Sequence, residues 1–177
     1  MKIYTRAGDT GDTSLFGGTR VPKDSLRVWC YGSADEAMCA IGTARAFLQG
    51  ETAVGAEAEK EVAEMVRHIQ NRLFVVEAEL ASDESGIQKL KDRINEEDIA
   101  YLEQAIDDFT LRHGKDKLFT IPGDTKPSAL FHTARVTVRR AERHVVALSR
   151  EEHVSPFVLQ YLNRLSDLMY VLAVYLS

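Results

Sequence analysis

The sequence predicts an all-α protein, an antiparallel five-helix bundle preceded by an ordered N-terminal loop. Three observations carry this. Apolar residues recur every three or four positions over long stretches beyond residue 33. Helix-start signals precede several of those stretches. The connections are short, and no repeat, low-complexity tract or long linker divides the 177 residues. One domain is therefore expected over 1–177, with the loop at 1–32 and the bundle at 33–177.

Each helix has its own signal. Ser33 and Glu36 fit a capping box that opens the first helix, which runs to about Gln49. Val62, Met65, Val66, Ile69, Leu73, Val76 and Leu80 place a second over about 57–81. Asn95 caps a third that carries Ile99, Leu102, Ile106 and Phe109. After a break from Arg112 to Lys126, a fourth runs from about Pro127 to Leu148. Ser155 followed by Pro156 starts the fifth, which continues almost to Ser177. A strand-rich fold finds little support beyond short runs such as 26–31.

Composition narrows the function classes. Hydrophobic residues make up 45% and charged residues 28%, in the range of soluble globular domains. A net charge of −5 offers no general basic surface for nucleic acid or an anionic membrane. No apolar run approaches the roughly 20 residues that span a bilayer, and the N-terminus lacks a basic-then-apolar signal region. Cys30 and Cys39 have no Cys-x-x-Cys spacing, so buried reduced thiols, rather than a disulfide or a metal site, and a cytoplasmic location are expected.

The first 35 residues crowd Gly, Thr, Ser and Asp around a few cations, from Thr5-Arg6-Ala7-Gly8 through Thr13 and Ser14 to Lys23. Glycines let the main chain approach a ligand, and successive N–H groups can line an anion-binding concavity. Arg6 and Lys23 could neutralise its guest, most naturally a polyphosphate. The spacing matches neither the Walker A pattern nor the dinucleotide fingerprint, so an ordinary surface loop fits the same residues.

Two polar stripes interrupt the helices. Arg135, Arg139, Glu142 and Arg143 share one face of the fourth helix, where a solvated surface laced with ion pairs is the plainer alternative. Asn163, Ser166, Asp167 and Tyr170 share one face of the fifth, inside a segment dense in Leu, Val and Met. Polar groups there need partners, whether a ligand, the arginines of the preceding helix or a core network. Asp35, next to the first helix's expected cap, suits either that helix's dipole or an arginine across the bundle. His132 reads as a packed or surface residue.

Taken together and in order, these blocks resemble the PduO-type ATP:cob(I)alamin adenosyltransferases. The match runs through Thr5–Gly11 with Thr13-Ser14, Arg20–Asp24, Gly32–Glu36, Phe119–Gly123, Ala134-Arg135, Arg139–Arg143 and Tyr161–Asp167. The resemblance implies a homotrimer with sites at the subunit interfaces, and transfer of the 5′-deoxyadenosyl group of ATP to the cobalt of a reduced corrinoid, releasing triphosphate. It implies that Thr5, Arg6, Ala7, Gly8, Thr13, Ser14 and Lys23 form a nucleotide-binding loop. Arg139, Arg140, Glu142, Arg143 and Asn163 would complete the ATP site from a neighbouring subunit, with Mg²⁺ assisting. Asp35 and Arg135 would form a salt bridge shaping the corrinoid pocket, and Phe119 would press on the lower face of the corrin. A reductase and an adenosylcobalamin-dependent acceptor enzyme are the implied partners. Arg6, Met38 and Asp124 depart from the family's usual lysine, asparagine and glycine. A non-catalytic corrinoid carrier and a helical adaptor are the competing classes.

Overall fold

The computed structural model describes residues 3–4, 6–51, 54–113 and 120–177. Among them, a short antiparallel hairpin, β1 (Asp12–Ser14) and β2 (Arg20–Pro22), precedes five long helices and one short one. The helices are α1 (Leu26–Ala46), α2 (Ala56–Leu80), the short α3 (Glu84–Ile87), α4 (Glu96–His113), α5 (Lys126–Leu148) and α6 (Pro156–Tyr175). Among the described residues no helix is long and apolar enough to cross a membrane.

The long helices pack in the spatial order α2, α1, α5, α6, α4. Side chains bring the two outer helices together: Arg72 reaches Asp98 at 2.8 Å, Arg112 reaches Glu61 at 2.7 Å, and the rings of His68 and Tyr101 lie 4.6 Å apart. The expected periodicity of α2 is realised, since Val62, Val66, Ile69, Leu73, Val76 and Leu80 are all buried. Asn95 opens α4 as expected: its Oδ1 accepts from the Glu97 N–H at 2.8 Å, and Asp98 accepts from the Asn95 N–H in return. Thr125 opens α5, accepting from the Ser128 N–H, and its hydroxyl donates to the Leu176 carbonyl at 2.6 Å. That bond ties the first turn of α5 to the end of α6.

The start of α1 differs from expectation. The helix begins at Leu26 rather than Ser33, so the loop ends at Ser25 and the bundle begins there. Ser33 is no cap: it is buried inside the helix, and its hydroxyl donates to the Trp29 carbonyl one turn back at 2.7 Å. Tertiary contacts override the strand-like run 26–31. Cys30 is buried as expected, which pushes its thiol up to about 12, whereas Cys39, expected to be buried too, lies on the exposed side of α1. Arg27 donates to the carbonyls of Leu80 and Ser82 and to Glu152 at 2.6 Å, joining α1 to the end of α2 and to the α5–α6 turn.

The hairpin is fastened to the α2–α3 corner. The Asp83 carboxylate accepts from the Thr19 hydroxyl at 2.6 Å, the Thr19 N–H at 3.0 Å and the Gly86 N–H at 2.8 Å. These bonds hold its carboxyl well below the usual range. Phe16 and the corner exchange two main-chain bonds, Phe16 N–H to the Ala81 carbonyl and Asp83 N–H to the Phe16 carbonyl. The approach is close enough to require glycine: a Cβ at Gly86 would lie 1.7 Å from the Phe16 carbonyl oxygen. Gly86→Ala is therefore expected to cost about 2 kcal/mol, because backbone rather than a flexible side chain must move. An unchanged midpoint in a denaturant titration would contradict that contact.

Candidate active site

The cationic face of α5 follows from helical spacing. Val138, Ala141 and Val145 are fully buried and fix the helix's rotation, which turns Arg139, Glu142 and Arg143 outward. These three, with Val146, Ala147 and Arg150, line a cleft of about 360 Å³. Six other arginines, Arg27, Arg72, Arg93, Arg112, Arg140 and Arg164, each hold a carboxylate within 4 Å. Among the described residues, Arg139, Arg143 and Arg150 hold none, as is also true of Arg6, Arg20, Arg45, Arg67 and Arg135, but these three are grouped in one cleft. A cleft with three such guanidiniums facing one carboxylate is suited to a multiply charged anion.

Arg140, expected in the same group, points elsewhere: it pairs with Glu36 of α1. One residue beyond Arg139 is rotated about 100° around a helix, and α1 is the neighbour it meets. Arg150 was missed. It lies past the last turn of α5, yet its offset of eleven from Arg139 continues the same face, and this was the available signal.

The α6 stripe meets the α5 stripe. Asn163 Nδ2 donates to Glu142 Oε1 at 2.8 Å, which seats the Glu142 carboxylate beside the cleft. Asp167 lies one turn further along α6, its carboxyl raised chiefly by burial and also by Glu142, against the lowering charges of Arg164 and Arg139. Ser166 is buried and donates to the Asn163 carbonyl, a helix-internal bond.

Of the loop residues, Thr5 lies outside the described residues. Arg6 sits at φ 63°, the left-handed region, with its guanidinium 5.6 Å from the Tyr4 ring centroid. The Ala7 carbonyl accepts from Arg20 Nη2 at 3.1 Å, and Arg20 Nη1 donates to Ser14 Oγ at 3.4 Å. Thr13 pairs with Val21 in the hairpin. The Lys23 side chain folds against Gly8, where an added Cβ would come within 3.0 Å of the ammonium. Part of the main chain is already engaged, since the Asp9, Gly11 and Lys23 N–H groups donate to the Arg6, Gly8 and Gly11 carbonyls. The ammonium of Lys23 over a glycine turn is thus the loop's positive feature.

Asp35 and Arg135 do not form the expected salt bridge within the chain. Asp35 is exposed on α1, accepts weakly from Cys39 Sγ at 3.8 Å, and acts on Glu77 of α2. Burial, and then the charge of Asp35, pushes Glu77 up to about 7. Arg135 sits on α5 with its Nε buried and without a hydrogen bond. It lies by buried His132, whose pKa is lowered by burial first and by Arg135 second, with Asp124 opposing. His132 Nε2 is 3.4 Å from the Thr120 hydroxyl, which brings the segment from Thr120 onward against α5. Phe119 lies outside the described residues. Among the described residues no group of three His, Cys, Asp or Glu side chains could hold a metal ion.

Comparison with known proteins shows the family. The family model described as cobalamin adenosyltransferase matches residues 3–176. A corrinoid adenosyltransferase of Citrobacter freundii is 42% identical over 172 residues, 97% of this chain and 93% of that protein. One of Bacillus subtilis (strain 168) is 43% identical over 174 residues, 98% of this chain and 85% of that protein. Among solved structures, a variant PduO-type ATP:corrinoid adenosyltransferase from Lactobacillus reuteri, complexed with cobalamin and ATP, superposes with a TM-score of 0.87. It is 32% identical, covering 98% of this chain and 90% of that one. The chain belongs to the cobalamin adenosyltransferase family.

Proposed function

We propose that this protein transfers the 5′-deoxyadenosyl group of ATP to the cobalt of reduced cob(I)alamin, or a related corrinoid, giving adenosylcobalamin and triphosphate. The observation that carries the reading is the α5 cleft, where Arg139, Arg143 and Arg150 stand without carboxylate partners beside Glu142. Family membership supplies the substrate class, since the relatives are named corrinoid adenosyltransferases and the Lactobacillus reuteri structure holds cobalamin and ATP.

The nucleotide sits between two protomers of a homotrimer. The N-terminal loop of one protomer, Thr5, Arg6, Ala7, Gly8, Thr13, Ser14 and Lys23, wraps the triphosphate, and Arg139, Glu142, Arg143 and Asn163 of its neighbour complete the site. The anchoring of the two parts supports this arrangement. The loop is bolted to the α2–α3 corner through Asp83, whereas the arginine row is held by the α5–α6 packing. Asp35 and Arg135, unpaired with each other inside one chain, pair across that interface and shape the corrinoid pocket. Arg140 acts indirectly, through Glu36 on α1.

The chemistry asks little of a protein base. Co(I) supplies both electrons of the new bond to C5′, the C5′–O bond breaks, and triphosphate departs with that bond's electron pair. Cobalt is a strong nucleophile already, so the chain must align it with C5′ and stabilise charge on the leaving group. Arg139 and Lys23 suit the second task. Mg²⁺ fits as a companion of the phosphates, with Glu142 as the carboxylate in reach, because that ion is commonly held by one or two carboxylates and phosphate oxygens. When bound, it neutralises phosphate charge.

Co(I) must first be made from Co(II), with electrons from a separate reductase. Phe119 displaces the lower axial ligand and leaves Co(II) base-off and four-coordinate, which eases its reduction. The finished cofactor passes to an adenosylcobalamin-dependent acceptor enzyme.

Anaerobic incubation with ATP, Mg²⁺ and chemically reduced cobalamin is expected to give the adenosylcobalamin spectrum over many turnovers. Arg139→Ala should lower kcat/KM for ATP by about 100-fold, the scale of a lost charge-stabilising donor, with the melting temperature kept. No turnover by the wild-type protein, or a melting temperature collapse in Arg139→Ala, would contradict the proposal. For Phe119→Ala, turnover beginning from Co(II) should fall far more than turnover from prereduced Co(I). Equal losses in both assays would contradict the axial-ligand role.

A further inference from the structure

We propose that Glu103 of α4 is a positioning residue for the nucleotide site, acting through Arg164 on the Asn163 amide; this rests on the reading of that site given above. Three contacts run in series across three helices. Arg164 Nε donates to Glu103 Oε1 at 2.9 Å, Arg164 Nη1 donates to Asn163 Oδ1 at 2.7 Å, and Asn163 Nδ2 donates to Glu142 Oε1 at 2.8 Å.

The partners force the orientation of the amide. A guanidinium only donates, so the group facing Arg164 must be the Asn163 oxygen; an ionised carboxylate only accepts, so the group facing Glu142 must be the nitrogen. With one N–H on Glu142 and the oxygen on a cation, Asn163 keeps its second N–H for a ligand. It therefore meets the nucleotide as a donor, toward a phosphate or ribose oxygen, and Glu142 is held in place for the same ligand.

Glu103 matters because Arg164 has a rival partner. Arg164 is the charged group felt most strongly by the Asp167 carboxyl, three residues further on α6. Both ends of the Arg164–Glu103 pair are about half exposed, at 40% and 50%, so the pair adds little to overall stability. Its effect is local: it keeps the guanidinium turned toward α4, where Nη1 reaches Asn163. Without Glu103, Arg164 turns to Asp167, the Asn163 oxygen loses its donor, and the amide is held at the Glu142 bond alone, so its second N–H is less firmly aimed.

The test is a double-mutant cycle on the intact protein, with ATP affinity measured by calorimetry and steady-state kinetics on reduced cobalamin. Glu103→Ala is expected to raise both the Kd and the KM for ATP by about 3- to 10-fold, with kcat and melting temperature nearly unchanged. Glu103→Asp should recover part of the loss. Asn163→Ala should weaken ATP more, and adding Glu103→Ala to it should change nothing further, because the relay is already cut. Additive losses in the double variant, or normal ATP affinity in Glu103→Ala beside a wild-type protein that binds ATP, would overturn the relay alone. A wild-type protein that gives no heat with ATP would overturn the nucleotide site and this role together.

Discussion

Three guanidinium groups line one cleft at the end of α5 with a single carboxylate among them, and the packing around the helix holds that excess charge in place. Six arginines elsewhere are matched to a carboxylate, from Arg27 and Glu152 at one end to Arg112 and Glu61 on the outer seam. Three like charges in one cleft repel one another, a cost that solvent exposure keeps modest and an arriving anion reverses. The arginines cannot relieve that repulsion by rotating the helix, because Val138, Ala141 and Val145 are fully buried on its opposite face. The apolar core of the bundle thus maintains the charged face.

The second half of the site is held by a different kind of constraint. The N-terminal segment has little core of its own: Leu15 is buried, but Arg6, Ala7 and Lys23 are exposed. Its position comes from hydrogen bonds at the α2–α3 corner and from the glycine that lets the Phe16 carbonyl approach. An arm fastened at its base and polar at its tip can present cations and hydroxyls to something outside its own protomer. Shared sites of that kind need a heterologous interface, and three copies around an axis close one.

The five long helices could be read from the residues because each carries an apolar period, and several add a start signal that is local in sequence. Asn95 caps α4 with its side chain, and Pro156 occupies the first turn of α6, although Ser155 before it makes no side-chain capping bond. The start of α1 could not be read this way. Ser33 and Glu36 have capping-box spacing, but the Ser33 hydroxyl is taken by the Trp29 carbonyl, and contacts to residues 80–82 and 152 carry the helix back to Leu26. The hairpin and α3 depend on Thr19 meeting Asp83, 64 residues away, and no local pattern records that meeting. Within the site, helical offsets exposed the α5 stripe but stopped short of Arg150, while Arg140, which only the family resemblance added, is claimed by α1. The Glu103–Arg164 contact was invisible for a related reason, since only the packing of α4 on α6 brings those side chains together.

Subunit mixing tests the central claim most directly. Lys23→Ala removes one cation of the loop and Arg139→Ala one of the row, and each variant alone should be nearly inactive. If the loop of one protomer and the arginine row of its neighbour share a nucleotide, then equal mixing with subunit exchange rebuilds intact sites. Activity should return to about a quarter of wild type, the fraction of interfaces with both intact halves. Mixed trimers that form but recover no activity would contradict the shared site and place both cations in the service of one protomer.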